Sequence, residues 1–107
     1  MSFDPDKISA RLVELGDDYA DKEAAATLME ETKKTVLSRL KLQSDEGSDA
    51  ARETEALASD EYRKHIENMI LARRDANKAR VRFDSMKAWI ELRRTQAANQ
   101  RAEMRLT

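Results

Sequence analysis

Two runs of apolar and small residues, each stepping alternately by three and four, restrict this chain to long helices packed along a seam. The longer run is Tyr62, His65, Met69, Ala72, Ala76, Ala79, Phe83, Met86, Ile90, Arg93, Ala97, Gln100 and Met104. That spacing lines up one stripe on a helix, the a and d positions of a heptad. Every a position from Tyr62 to Met104 is apolar, whereas the d positions are apolar only from Ala72 to Met86. The seam is therefore continuous but uneven. An earlier run has the same rhythm: Ile8, Leu12, Leu15, Tyr19, Lys22, Ala26, Met29, Lys33, Val36, Leu40 and Gln43.

The boundaries follow from local chemistry. Asp4 can accept hydrogen bonds from the free N–H groups of a first helical turn, and Pro5 fits that turn because its missing donor would have no partner there. Phe3 and Ile8 are spaced nearly as a hydrophobic staple across this start. The first helix is expected over residues 5–43. Gly16 leaves the seam in phase and costs about 1 kcal/mol relative to alanine; the competing possibility is a break at Gly16-Asp17-Asp18 with a short first helix folding back. Ser44-Asp45-Glu46-Gly47-Ser48-Asp49 is the one evident turn, in which Gly47 can take positive φ and Ser48 or Asp49 can cap the next helix. That second helix is expected over 50–106. Its start is weak, since Ala50, Ala51, Glu55 and Ala58 give the seam little bulk, and Ser59-Asp60-Glu61 could recap it with a kink.

One short connection between two long helices favours an antiparallel pair. The expected fold is all-α, a single-domain helical hairpin or coiled coil whose second helix is longer than its first, helical over at least about three quarters of its length. Two glycines and one proline in 107 residues, with 38% charged side chains, suit such a fold and leave no place for strands. At about 1.5 Å per residue the helices would span about 60 and 85 Å. Counting outward from the turn sets Gln43 opposite Ala50 and Pro5 opposite about Ala88, so residues 89–107 overhang. A two-helix hairpin also leaves Leu37, Leu42, Ile66, Ile70 and Leu71 outside the seam, which predicts self-association.

Charge divides the chain more sharply than its net of −1 suggests. Residues 1–61 carry 8 Lys and Arg against 16 Asp and Glu, and residues 62–107 carry 12 against 5. The halves can neutralise each other in an antiparallel pair, or each can face its own partner. The lack of cysteine excludes disulfides and thiolate metal sites. No apolar run nears the roughly 20 residues of a membrane span, and MSFDPDKIS lacks the regions of a signal peptide; a cytoplasmic location is expected, without membrane contact.

Catalytic groups are sparse. His65 is the only histidine, with Glu61 one turn before it, so the pair could hold a metal or pass a proton. Di-metal bundles, however, draw Glu-x-x-His from more than one helix, and the spacing here is Glu-x-x-x-His. A seam histidine meeting the partner helix is the better account. Asp17, Asp18 and Asp21 lack the ligand spacing of a calcium loop, and there is no phosphate loop or nucleophile elbow. The expectation is a protein without enzymatic activity, cofactor, metal or small-molecule substrate.

Binding is better represented. In the overhang, Trp89, Ile90, Arg93, Arg94, Ala97, Arg101 and Met104 occupy adjoining faces, the layout of an amphipathic helix that docks through apolar anchors with cations at the rim. The occupant could be another protein or a second copy of this chain. A basic stripe at the e positions, Arg73, Arg80, Lys87, Arg94 and Arg101, recurs every seven residues and could follow nucleic-acid phosphates. Equally, those cations could bridge to acidic side chains.

The chain, and its end RVRFDSMKAWIELRRTQAANQRAEMRLT in particular, resembles short helical proteins of tailed bacteriophages and prophages, often carried among recombination and replication genes. The resemblance is one of general character and transfers no functional residue. It implies a phage setting, hence a host-cell cytoplasm, and an accessory role in DNA transactions for a non-catalytic coiled-coil interaction protein. The alternative is a phage inhibitor of a host nucleic-acid-binding enzyme, with the acidic N-terminal half imitating nucleic acid.

Overall fold

A computed structural model describes residues 4–106 and shows a rod with extents of 86 × 22 × 17 Å. Of the described residues 92% are helical and none is in a strand. Helix α1 runs Pro5–Gln43, α2 runs Asp49–Leu57 and α3 runs Asp60–Leu106, with α1 and α3 lying antiparallel. The chain is thus the all-α hairpin expected from its seams. No helix among the described residues is long and apolar enough to cross a membrane.

The start of α1 is built by its cap. The Asp4 carboxylate accepts from the N–H groups of Asp6 at 3.0 Å and Lys7 at 3.4 Å, with Pro5 in the first turn. Phe3, the other half of the expected staple, lies outside the described residues. Helix α1 passes through Gly16 without interruption, so the first helix does not fold back. Gly16 lies against the opposite helix: a Cβ there would stand 3.3 Å from the Phe83 ring, so glycine admits the ring where a side chain would crowd it.

The connection differs from its sequence expectation. Ser44 is extended, and its hydroxyl donates to Glu55 at 2.5 Å while accepting from the Glu46 N–H at 3.2 Å. Ser48 then caps α2 by accepting from the Ala51 N–H. Among the described residues no glycine has positive φ; Ser44 and Ser48 are extended, and the chain reverses between them with a bend at Gly47-Ser48. The expected single helix over 50–106 is split at Ala58–Ser59: the Ser59 hydroxyl donates to the Ala56 carbonyl at 2.7 Å and accepts from the Tyr62 N–H at 3.2 Å. One hydroxyl closes α2 and opens α3.

The wide connection shifts the register. Arg39 pairs with Glu61, Phe83 lies against Gly16, and Ser44 meets Glu55, so Gln43 does not face Ala50. Extending the same pairing places Pro5 opposite about Arg94 rather than Ala88. Ile90 is consequently half-buried, and unbroken exposure begins at Glu91.

The core is thin and made of small residues. Ala26 and Ala76 are 0% exposed, Ala79 1%, Ala56 2% and Leu15 8%, whereas larger seam residues such as Leu12, Met29, Val36, Met69, Phe83 and Met86 are only half-buried. The seam is also narrower than its periodicity suggests. Lys33 and Gln43, at seam positions by spacing, are exposed, as are Arg93, Ala97, Gln100 and Met104. Two helices alone offer one line of contact, which covers small side chains fully and large ones on one side.

Ion pairs hold the register. Arg73 reaches across to Glu23 at 2.7 Å and to Glu30 at 2.9 and 2.5 Å. The hydrogen bonds from Arg73 hold the Glu30 carboxyl below its ordinary value, and those to Glu30 and Glu23 hold the Arg73 guanidinium above its own. A carboxyl whose value is lowered on folding adds stability that is complete above its unfolded value and is lost as pH falls through the lowered one. Thermal unfolding of the native chain and of Glu30→Gln, followed from about pH 6 to about pH 2, is expected to show a constant gap that closes only at the acid end. A gap independent of pH would remove Glu30 from this role.

Candidate partner-binding surface

From Glu91 to Leu106 every residue of α3 is exposed, and from about Thr95 the helix runs past the start of α1. The expected contact residues divide at this boundary. Trp89, 37% exposed, and half-buried Ile90 lie at the edge of the paired region. The Arg93 guanidinium stands 6.0 Å from the Trp89 ring centroid, a cation–π contact one turn apart. Arg94, Ala97, Arg101 and Met104 are exposed, and Arg94 bonds Glu91 at 3.0 Å. Helical spacing sets Ile90, Ala97 and Met104 on one stripe, with Arg94, Arg101 and Arg105 along one of its edges. The unbroken exposure therefore begins at Glu91, two residues into the overhang expected at 89–107, while the helix clears the start of α1 only at about Thr95.

The basic e stripe is not a uniform surface. Arg73 is turned onto Glu23 and Glu30 of α1. Lys87 pairs with Asp84 at 3.3 Å and stands 4.5 Å over the Phe83 ring. Arg80 and Arg101 are exposed and have no ion-pair partner among the described residues. Two of five positions thus keep open cations, about 21 residues and 30 Å apart.

The remaining chemistry-bearing groups face the seam or solvent. The Met29 carbonyl can only accept, so His65 donates its Nε2–H to it at 2.9 Å, while Glu61 is held by Arg39. The two do not form a pair. Asp18 binds Lys22 at 3.1 Å and approaches Arg82 at 3.7 Å, whereas Asp17 and Asp21 are exposed. Among the described residues no three His, Cys, Asp or Glu side chains gather as metal ligands.

One surface was not anticipated from the sequence. At the turn end, Glu46, Ala50, Ala51, Thr54, Glu55 and Ala58 line a shallow groove, small side chains rimmed by carboxylates. Its signal lies in the Ala50, Thr54, Ala58 spacing of four, which reads equally as a weak helix start.

No protein-family model matches the chain, and neither does any curated protein or solved structure. The resemblance to small helical phage proteins therefore rests on the sequence alone.

Proposed function

We propose that the protein is a non-catalytic helical interaction protein that binds a protein partner through its basic C-terminal overhang. The observation that carries this reading is the exposed helix from Glu91 to Leu106. Past about Arg94 this end of α3 has no seam partner within the chain, and a docking surface would supply one. A protein partner is favoured over a phosphate chain because Arg73, Lys87 and Arg94, three of the five stripe cations, are engaged with carboxylates within the chain. An accessory role in DNA transactions would then be exerted through the bound protein.

Removing residues 91–107 tests this. The truncated chain is expected to keep the hairpin's cooperative melting and to lose association, whether with itself or with a foreign protein, measured by sedimentation and by cross-linking with mapped sites. Within the full chain, Trp89→Ala is expected to weaken binding by about 2 kcal/mol, and Arg94→Glu and Arg101→Glu to slow association and change its salt dependence. Association that survives the truncation, or a gel shift of DNA that disappears with Arg80→Glu while protein binding is absent, would overturn the reading.

A further inference from the structure

The two ends of the rod carry opposite charge, and its arrangement identifies what the overhang meets. Residues 45–61 hold seven carboxylates against one cation, Arg52. Four of the seven are engaged within the chain: Asp49 with Lys41, Glu55 with Ser44, Asp60 with Arg63 and Glu61 with Arg39. Asp45, Glu46 and Glu53 are exposed, and their carboxylates have no cation partner among the described residues. Glu46 lines the groove floored by Ala50, Ala51 and Ala58, and Asp45 and Glu53 belong to the same acidic end of the rod. At the same end Leu42 is 87% and Leu57 48% exposed.

The far end is the complement of this. Residues 91–106 carry four arginines against two glutamates. Arg101 and Arg105 have no carboxylate partner among the described residues, and they share an edge of the helix with Arg94. The overhang spans about 24 Å, enough to run along both α2 and the connection before it.

Charge then selects one arrangement of two copies out of three. Side by side and parallel, the acidic ends would meet. Joined overhang to overhang, one set of arginines would face another. Only the antiparallel alignment sets each overhang beside the acidic turn end of the other copy, and two-fold symmetry makes that contact twice. The half-buried seam supplies the reason to associate at all, since no large side chain of the hairpin is fully buried among the described residues.

We infer that the protein forms an antiparallel homodimer in which each C-terminal overhang seats on the acidic turn groove of the second copy. The inference rests on the overhang being the docking helix and names its partner. Two charge-reversed forms of the full chain test it by sedimentation equilibrium at low and high salt. One carries Asp45→Lys, Glu46→Lys and Glu53→Lys; the other carries Arg94→Glu, Arg101→Glu and Arg105→Glu. Each alone is expected to dimerise about tenfold or more weakly than the native chain. An equimolar mixture is expected to recover native affinity, because both contacts are then between opposite charges.

A turn-reversed form that dimerises like the native chain would overturn the inference. So would a native chain that is monomeric at low salt, or a mixture no tighter than its components. These results leave the docking role of the overhang standing if truncation at residue 91 still abolishes binding to a foreign protein. Circular dichroism of each reversed form confirms that the hairpin is intact, since none of the six residues pairs across the seam.

Discussion

Replacing Ala76 by leucine is expected to lower the unfolding free energy by about 1–3 kcal/mol, whereas the same change at Ala97 is expected to stay within about 0.5 kcal/mol. Both alanines occupy a positions of one heptad register, so sequence pattern alone would assign them the same role. Ala76 is 0% exposed and lies one turn beyond Arg73, whose guanidinium binds Glu23 and Glu30 across the seam. Three added carbons have no space there unless the helices separate, which would lengthen those ion pairs as well. Ala97 stands on the overhang in solvent. Urea unfolding followed by circular dichroism, at one protein concentration, measures both. Equal effects at the two positions would mean that the seam runs the length of α3, contrary to the register that Arg73 and Phe83 set.

A second large loss is expected at Phe83. Its ring lies 6.3 Å from that of Tyr19, faces the backbone at Gly16 and carries the Lys87 ammonium at 4.5 Å. Removing a fully buried phenylalanine costs about 3–5 kcal/mol; the ring here is half-buried, so Phe83→Ala is expected to cost about 2 kcal/mol. The pairing with Gly16 adds a sharper expectation. Alanine at position 16 favours helix by about 1 kcal/mol, but its methyl group would press on the ring at 3.3 Å. Gly16→Ala should therefore stabilise the Phe83→Ala protein by more than it stabilises the native one. A double-mutant cycle reads that difference directly, and additive effects would show that the glycine is there for another reason.

Helix content, the position of the reversal and the antiparallel pairing are local or periodic properties, which is why the chain's residues determine them unaided. The 4-3 spacing needs only side-chain hydrophobicity, and the caps at Asp4, Ser48 and Ser59 need only a short polar side chain at the right place. Gly16 illustrates the limit. Its cost to a helix is visible in the sequence, but its contact with Phe83 is not, because 67 residues separate them along the chain.

Register was decided by tertiary structure. How many residues the connection consumes depends on whether Gly47 turns tightly or the side chains of Ser44 and Ser48 bond the connecting segment, and both ways are open to these residues. The second occurs, and it moves the residue opposite Pro5 from Ala88 to about Arg94, with unbroken exposure of α3 from Glu91. The same choice fixes which cations are spent on the fold. Arg73 and Arg101 are equivalent in heptad position, yet one lies opposite Glu23 and Glu30 while the other extends past the end of α1. A helix presents charge according to its own period, but whether that charge is neutralised depends on what the fold brings alongside it.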